Sequence, residues 1–205
     1  MAGDLVFYSH PMSRGRIVRW MLEEVGADYR TEWLDYGTPM QDPAFRAINP
    51  MAKVPALRHG DTIITECAAI CAYLADAFPA AGLAPSPDQR GAYYRWLFFA
   101  AGPLENAITD RALGRDIPIE KQKMSGYGDF ARVMDALELA VSGPPYIAGD
   151  AFSAADVYVG SQIGWGLMFK TIEPRPAFAH YWDRLKDRAA HRRASELDDA
   201  AVPAA

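Results

Sequence analysis

Ser13 is the first residue whose type and position could support chemistry. It follows a short apolar segment that ends at His10-Pro11, and it directly precedes a helical pattern. A serine at the start of a helix can accept a hydrogen bond from a backbone N–H of the first turn. The same hydroxyl can instead point at a bound ligand. Taken alone, the residue favours a simple helix cap, and both roles stay open at this point.

Glu66 and Cys67 stand at the start of a second predicted helix, over residues 66–78. The N-terminus of a helix offers unpaired N–H groups and a partial positive charge, which suit a carboxylate. The Glu66 carboxylate could hold an ammonium group beside it. A molecule with one α-amino and one α-carboxylate group would satisfy both features. The alternative is that Glu66 only stabilises the helix dipole from the first turn.

Pro55 follows Val54 at the start of a predicted third strand. A proline cannot donate a hydrogen bond to a strand ladder, so it belongs at the first position of a strand or at an edge. If the Val54–Pro55 bond is cis, the N–H and C=O of Val54 turn outward, and an extended peptide can add to that edge. The dipeptide alone favours the trans bond, since only ~5–6% of X-Pro bonds are cis.

The cysteines and histidines do not form a metal-binding pattern. Cys67 and Cys71 are the two cysteines and lie four residues apart, while the four histidines are scattered along the chain. No pair has the close spacing typical of zinc ligands. Two cysteines one helical turn apart also rarely meet the geometry of a disulfide. We therefore expect reduced cysteines, a cytoplasmic protein and no metal cofactor.

The elements that must position these residues alternate between strand and helix in the first 80 residues. Strands are predicted at residues 5–8, 29–34, 54–58 and 62–65, which are short and rich in β-forming residues. One helix is predicted from Ser13 to Gly26 and another over 66–78. The segment 35–50, which contains several prolines, is predicted to be a loop. The resulting order is β-α-β with a right-handed crossover, followed by β-β-α.

After a predicted linker at 80–87, the pattern becomes helical. Helices are predicted at residues 90–113, 120–141, 154–169 and 177–188, followed by a disordered tail at 198–205. The aromatic segment 93–99 is apolar almost all round, so part of it must face a second apolar surface, either a dimer partner or a ligand pocket. The sequence S-x-x-D from Ser153 to Asp156 predicts a capping box with a structural rather than a catalytic role.

Composition narrows the possible functions. The chain has 205 residues, of which 50% are hydrophobic and 23% charged, enough for one large domain or two small ones with a buried core. A formal net charge of −5 argues against nonspecific binding to nucleic acid or to an anionic membrane surface. No apolar segment approaches the ~20 residues that span a bilayer, and we expect no secretory signal in the first ten residues.

Three segments together resemble the cytosolic glutathione transferases. They are FYSHPMSRGRIVRWMLEEVGADY, NPMAKVPALRHGDTIITECAAICAYLADAFP and FSAADVYVGSQI, which contain the serine before the first helix, the VPAL step with the E-C-A-A-I helix start, and the S-x-x-D box. They occur in the order of the family, and the resemblance extends over essentially the whole chain. The resemblance implies an α/β thioredoxin-like domain at 1–80 that binds glutathione, and an all-α helical domain at 88–205.

The resemblance also implies a set of residues that bind glutathione. This set is Lys53, Val54, Pro55, Glu66 and Cys67. Pro55 is implied to be cis, with the Val54 backbone pairing with the cysteinyl unit, while Glu66 and residue 67 hold the γ-glutamyl end. The family usually has Ser or Thr at residue 67. Cys67 keeps the backbone N–H but loses the hydroxyl contact, because a thiol is a weak donor.

Ser13 is the residue that the resemblance places at the glutathione sulfur. In the bacterial, theta-like and zeta-like branches, a Ser or Cys at the start of the first helix activates the thiol. Ser13 matches that place best, with Ser9 and Tyr8 as alternatives. Neither Met12 nor Arg14 is a cysteine, so a mixed disulfide with glutathione has no nucleophile here. The predicted function is conjugation of the glutathione thiolate to an apolar electrophile, with a role in detoxification.

Two alternative functions remain. One is a glutathione-dependent isomerase, lyase or peroxidase that uses the same site, and the other is a non-catalytic ligand-binding or interaction protein with this fold. Glutathione is expected as a co-substrate, alongside a small apolar electrophile, with no nucleic acid and no membrane as partners. The resemblance and the aromatic segment 93–99 also predict a homodimer. An acid near Glu105 or Asp110 could then reach the γ-glutamyl ammonium bound to the partner.

Overall fold

A mixed four-stranded sheet organises the first part of the chain in the computed structural model, which describes residues 5–202. Its strands are β1 (Leu5–Ser9), β2 (Arg30–Trp33), β3 (Ala56–His59) and β4 (Thr62–Thr65). Their order across the sheet is β2-β1-β3-β4, with β1 parallel to β2 and β3 antiparallel to both of its neighbours. A turn at Gly60, whose φ is 59°, joins β3 and β4 as a hairpin. The four predicted strands are thereby confirmed.

Helices from two distant parts of the sequence accompany this sheet. They are α1 (Gly15–Val25), α2 (Thr38–Gln41), α3 (Pro43–Ile48), α4 (Cys67–Ala77) and α10 (Ala189–Asp199). The first of these ends at Gly26, as predicted, with a φ of 64° and a hydrogen bond from its N–H to the carbonyl of Leu22. Glycine suits this position because a left-handed residue closes the last turn of a helix without a steric penalty.

The prediction of a loop over residues 35–50 was wrong, because α2 and α3 lie within it. Pro39 and Pro43 each occupy the first turn of a helix, where the missing N–H has no intrahelical partner to lose. The side chain of Asp42 caps α3 by accepting a hydrogen bond from the N–H of Ala44 at 2.8 Å. Prolines that looked like loop signals are therefore helix starts.

Helices cover both faces of the sheet, as the contacts of the β1 side chains show. Tyr8 packs against Met40 and Phe45, and the Tyr8 and Phe45 ring centroids lie 5.7 Å apart. Phe7 points to the opposite face, where the guanidinium carbon of Arg19 in α1 lies 5.0 Å from its ring centroid. Successive residues of the strand thus pack against α2–α3 and against α1.

In the second compact unit, Ala84–Asp187, every regular element of secondary structure is a helix. Its helices are α5 (Gly91–Phe99), α6 (Glu105–Ala112), α7 (Phe130–Val141), α8 (Ala154–Met168) and α9 (Pro176–Leu185). Together with the sheet unit, this confirms the predicted fold class. The division after Leu83 lies within the segment 80–87, where we predicted a linker.

Two of the predicted long helices differ from those observed. The helix predicted over 90–113 is interrupted by a π-helical turn at Ala100–Leu104, which contains Pro103. Proline has no N–H to donate within a helix, so the hydrogen-bond pattern changes around it. The helix predicted over 120–141 begins only at Phe130, after turns that contain Gly128 with a φ of 74°.

The predicted capping box at the start of α8 is confirmed. The buried carboxylate of Asp156 accepts hydrogen bonds from the N–H of Ser153 at 2.9 Å, the N–H of Ile147 at 2.8 Å and the hydroxyl of Tyr181 at 2.6 Å. Burial raises the pKa of Asp156 even though these donors favour its charged form. The carboxylate therefore joins three segments of the second unit.

The end of the chain differs from the predicted arrangement in two ways. From Arg188 onward the chain groups with the sheet unit rather than with the helical domain predicted at 88–205, because α10 packs on α1. Asp198, predicted to begin a disordered tail, is fully buried in α10, where it accepts a hydrogen bond from Nε of Arg19 at 2.7 Å. Residues 203–205 of that predicted tail lie outside the described residues.

Residues 5–202 contain neither a helix suited to cross a membrane nor a cluster of metal-ligating side chains. Within this part of the chain, no helix is both long enough and apolar enough to cross a membrane. The same residues contain no group of three or more histidine, cysteine, aspartate or glutamate side chains arranged to hold a metal ion.

Candidate functional site

The starts of α1 and α4 meet at one edge of the sheet. The thiol of Cys67, the first residue of α4, donates a hydrogen bond to the backbone carbonyl of Arg14, with an Sγ–O distance of 3.4 Å. Arg14 immediately follows Ser13 and precedes the first residue of α1. The fold therefore brings Ser13, Glu66 and Cys67 together, although the bonded residues are 53 positions apart in sequence.

Ser13 is half-buried, and its hydroxyl makes two local hydrogen bonds. Oγ accepts from the N–H of Gly15 at 2.9 Å and donates to the carbonyl of His10 at 2.7 Å. The hydroxyl thus caps the first turn of α1. Rotation about the Cβ–Oγ bond can turn the hydroxyl hydrogen from the His10 carbonyl towards a ligand while Oγ stays in place and keeps its bond from Gly15.

The loop that carries Ser13 is fixed by side chains from outside it. Nε of Arg16 donates to the carbonyl of Pro11 at 2.6 Å, and the hydroxyl of Tyr36 donates to the carbonyl of Met12 at 3.2 Å. The rings of His10 and Tyr36 also pack together, with their centroids 4.5 Å apart. The position of Ser13 is therefore determined by α1 and by the segment after β2.

The two alternative residues for Ser13 occupy different surroundings. Ser9 is completely buried, and its Oγ has no hydrogen-bond partner in the described structure. A Cβ on Gly15 would lie only 2.0 Å from Ser9 Oγ and 3.0 Å from Ser13 Oγ, so both hydroxyls crowd the glycine. Tyr8 is half-buried against Phe45 on the opposite face of the sheet. Of the three, Ser13 lies at the meeting point of α1 and α4.

The Val54–Pro55 bond is cis, as the resemblance implied. Val54 lies just before β3 and outside its ladder, whose pairing with both neighbouring strands begins at Ala56. The side chain of Val54 is half-buried on the cluster that contains Met40 and Phe45, while the Lys53 side chain is exposed.

Asn49 is a residue of this region that the sequence analysis missed. It is buried, with 4% of its surface exposed, and its Nδ2 donates to the carbonyl of Lys53 at 2.7 Å. Its Oδ1 accepts from the N–H of Met51 at 3.1 Å. These bonds close the turn that presents Lys53 and Val54. An asparagine before a proline, five residues ahead of Val54, was the available signal, because such residues commonly bond nearby backbone groups.

Glu66 has an exposed side chain and an unusual backbone conformation. Its φ is 68° and its ψ is 119°, and its side chain makes no capping hydrogen bond to α4. A positive φ is uncommon for a residue with a Cβ, and such conformations concentrate at binding and catalytic sites. The carboxylate is therefore presented to solvent at the N-terminus of α4.

Cys67 and Cys71 are both buried thiols. Burial raises the pKa of the Cys71 thiol from 9.0 to about 12, so this thiol stays protonated at neutral pH. Cys67 places its backbone N–H at the start of α4 and its thiol on the Arg14 carbonyl. Its side chain is thus used within the protein.

The two acids predicted to reach a partner's ligand have partners within their own unit. Glu105 Oε2 accepts a hydrogen bond from Nε2 of Gln162 at 2.6 Å, and Asp110 Oδ2 accepts from the hydroxyl of Tyr127 at 2.9 Å. On α5, Tyr94 and Phe98 are 40% and 66% exposed. The proposed reach of these acids into a partner subunit stays a prediction.

The chain is similar in sequence to known proteins. The family model described as "Glutathione S-transferase, N-terminal domain" matches residues 12–77. Among curated relatives, glutathione S-transferase Z2 of Arabidopsis thaliana is 30% identical over 161 residues, which cover 75% of this chain and 72% of that protein. Maleylacetoacetate isomerase of Rattus norvegicus is 28% identical over 191 residues, covering 87% and 86% of the two chains.

A solved structure gives the same result across nearly the whole chain. The glutathione S-transferase of a sphingomonad, complexed with glutathione, is 26% identical and superposes with a TM-score of 0.76. The match covers 95% of this chain and 98% of that one. With its family-model match, its 30% identical relative and this shared fold, the chain belongs to the glutathione S-transferase family of enzymes.

Proposed function

We propose that this protein conjugates the thiolate of glutathione to a small apolar electrophile. The observation that carries the proposal is the meeting of the α1 and α4 N-termini at the Cys67–Arg14 contact. It gathers a hydroxyl, two helix N-termini and the exposed Glu66 carboxylate at one edge of the sheet. This combination suits a ligand that carries a thiol, a carboxylate and an ammonium group.

The γ-glutamyl end of glutathione would be held at α4. The Glu66 carboxylate pairs with the α-ammonium group, and the backbone N–H of Cys67 donates to the α-carboxylate, which the helix dipole also favours. The backbone of Val54, outside the β3 ladder, pairs with the cysteinyl unit, and the ammonium group of Lys53 is available to a second carboxylate. Pro55 fixes the direction of the chain beside it.

Ser13 would favour the anionic form of the bound thiol. A free thiol has a pKa of ~8.5 and is mostly protonated at neutral pH, whereas the thiolate is the nucleophile. The N–H of Gly15 bonds a lone pair of Ser13 Oγ, so the O–H group can exchange its bond to the His10 carbonyl for one to the sulfur. The positive end of α1 acts in the same direction.

Replacement of the hydroxyl tests this assignment. Ser13→Ala should slow conjugation by about 10- to 150-fold at neutral pH, because a hydrogen bond to a charged group is lost. Retention on glutathione-agarose should persist, since other residues hold the ligand. Turnover is measured with a chlorodinitrobenzene. Ser142→Ala is the matched control, because Ser142 Oγ also donates to a carbonyl, that of Glu138 at 2.7 Å, but at the end of α7.

The wild-type protein decides between the function classes. Retention with turnover supports a transferase, and retention without turnover supports a carrier that does no chemistry. A protein that does neither would contradict the glutathione site. Unchanged turnover in Ser13→Ala would move the activating role to Ser9 or Tyr8.

A second candidate is glutathione-dependent isomerisation at the same site, which is favoured by the similarity to the rat maleylacetoacetate isomerase. Such a reaction also needs a glutathione thiolate that adds to and leaves the substrate. Assaying the wild-type protein with maleylacetoacetate beside the chlorodinitrobenzene tests it. Faster glutathione-dependent turnover of maleylacetoacetate would make isomerisation the main activity.

We also propose a cytoplasmic homodimer that serves detoxification. The exposed rings of Tyr94 and Phe98 on α5 support an apolar contact with a second copy, since they offer aromatic surface that the chain itself leaves uncovered. Light scattering at micromolar concentration measures the mass in solution. A monomer under those conditions would contradict the dimer.

A further inference from the structure

α10 is fastened along α1 by contacts at several points. Near its start, the guanidinium of Arg188 bonds both carboxylate oxygens of Glu24, at 2.6 and 2.7 Å. Further along, the rings of Trp20 and His191 pack edge to face, with their centroids 4.7 Å apart. These contacts fix where the last turn of α10 lies against the start of α1.

A buried ion pair also joins α10 to α1 near the end of α10. Nε of Arg19 donates to Oδ1 of Asp198 at 2.7 Å, and both side chains are almost completely buried. Arg19 also donates to the hydroxyls of Tyr29 and Thr31, at 3.1 and 3.0 Å. Since a buried charge requires a partner, this pair holds the end of α10 in a single register on α1.

The residue after Asp198 extends this attachment to the Ser13 loop through Arg16. Nη2 of Arg16 donates to Oδ1 of Asp199 at 2.6 Å, and Nε of the same guanidinium donates to the carbonyl of Pro11 at 2.6 Å. One planar group thus links α10 to the loop. The Arg16 side chain is 25% exposed, so most of it is shielded from water.

We infer that Arg16, oriented by Asp199, is a positioning residue for the Ser13 hydroxyl. Pro11 directly follows His10, whose carbonyl accepts the Ser13 hydrogen in this structure. A bond that holds Pro11 therefore also limits the movement of the neighbouring peptide and of the Ser13 side chain. The inference rests on the proposed function, in which Ser13 donates to the glutathione thiolate.

The side-chain chemistry explains why arginine fills this role. A guanidinium presents several N–H groups in a rigid plane, so it can bond the carbonyl and the carboxylate at the same time in a fixed orientation. A lysine carries the same charge on a flexible chain with a single nitrogen. Arg16→Lys therefore separates the effect of bridging from the effect of charge.

The test uses four variants and two readouts. Arg16→Met and Arg16→Lys remove the bridge, Asp199→Asn weakens it, and Glu196→Gln is the control. Glu196 lies on the same helix and is 70% exposed, close to the 66% of Asp199, but it pairs with Arg193 rather than with α1. The readouts are the pH dependence of kcat/KM and the ultraviolet absorbance of the thiolate in the binary complex with glutathione.

We expect both Arg16 variants to lose about 10-fold in kcat/KM and to raise the pKa of the bound thiol by about one unit. Asp199→Asn should lose about 2- to 5-fold, because an exposed ion pair contributes little. Glu196→Gln should match the wild type. Retention on glutathione-agarose should be unchanged in all four.

Each possible result supports or overturns the inference. An unchanged thiol pKa in folded Arg16→Lys and Asp199→Asn would overturn it. The inference would also be overturned if Arg16→Lys had the kcat/KM and thiol pKa of the wild type while Arg16→Met was impaired. The positive charge alone would then be sufficient. If Arg16→Met does not fold, the other two variants decide. A wild-type protein with neither a thiolate signal nor turnover would overturn the proposed function itself, and the inference with it.

Discussion

Helices α1 and α8 each have a serine at their N-terminus, Ser13 before α1 and Ser153 before α8. The two helix starts differ in the residue three positions after that serine. In α8 that residue is Asp156, whose carboxylate returns to the serine and forms a closed capping box. In α1 it is Arg16, whose guanidinium turns away to Pro11 and Asp199. A serine thus stands at the start of both helices, next to an acidic side chain in α8 and a basic side chain in α1.

The difference separates a structural helix start from one suited to a ligand. Ser153 is 3% exposed, and the acid beside it already compensates the positive end of α8. Ser13 is half-buried, and no acidic residue stands in the first turn of α1. The N-terminus of α1 can therefore stabilise a bound anion through its dipole and the Ser13 hydroxyl. At α8, the carboxylate of Asp156 already fills that role.

The largest effect is expected at the closed box. Asp156→Ala removes the acceptor of four buried donors, the N–H groups of Ile147 and Ser153 and the hydroxyls of Ser153 and Tyr181. The free energy of unfolding should therefore fall by about 3 to 5 kcal/mol. Urea denaturation measures this change. Asp150→Ala, at an exposed aspartate of the preceding loop, is the matched control and should stay within about 0.5 kcal/mol of the wild type. Equal stability of the two variants would remove the contrast between α8 and α1.

Gly15 offers a sharper probe of the open helix start. A Cβ there would lie 2.0 Å from Ser9 Oγ, so Gly15→Ala should destabilise the protein by about 1 to 3 kcal/mol. Adding Ser9→Gly removes the obstructing side chain and should recover part of that loss. Ser9→Ala alone should be nearly neutral, because the buried hydroxyl has no hydrogen-bond partner to lose among residues 5–202. Thermal and urea unfolding of the three variants check this, and a strongly destabilised Ser9→Ala would contradict it.

The smallest effect concerns pH. The pKa of the Cys71 thiol is about 12 in the folded state against 9.0 ordinarily, so the unfolded chain releases its proton first as the pH rises. The stability that this thiol contributes is therefore present below pH 9 and is lost above it, by about 1.4 kcal/mol between pH 8 and pH 10. Urea denaturation at both pH values should show this loss in the wild type and in Cys67→Ala.

Cys71→Ala lacks the thiol and should lose about 1.4 kcal/mol less over the same interval. Its stability at pH 8 can differ from that of the wild type without affecting the comparison, because only the change with pH is at issue. An identical pH dependence in Cys71→Ala and the wild type would contradict a buried, neutral thiol on α4.

Short-range patterns predicted much of the fold. The segment Thr62–Thr65 and the box at Ser153–Asp156 follow from residues that lie next to one another in sequence, and both are as predicted. The helices within 35–50 were missed because a proline in the first turn starts a helix as readily as it ends one. The helix predicted over 120–141 begins only at Phe130, because glycine-containing turns replace its first part despite the helical spacing of the apolar residues there.

Long-range pairs account for what the sequence could not reveal at the site. Asp198 was expected in a disordered tail because its partner, Arg19, lies 179 positions away. The burial of Ser9 likewise depends on the close approach of Gly15, which only the packing of α1 on β1 creates. Glu66 was predicted from its place before a helix, but its positive φ depends on the turn from β4 into α4.

Titration of the thiol of bound glutathione tests the central claim most directly. The ultraviolet absorbance of the thiolate is followed against pH in the binary complexes of the wild type and of Ser13→Ala. In the wild type the pKa should lie below the ~8.5 of a free thiol, and in the variant it should be higher by about 1 to 2 units. The same titration curve in both proteins, with glutathione bound to each, would contradict the role of Ser13.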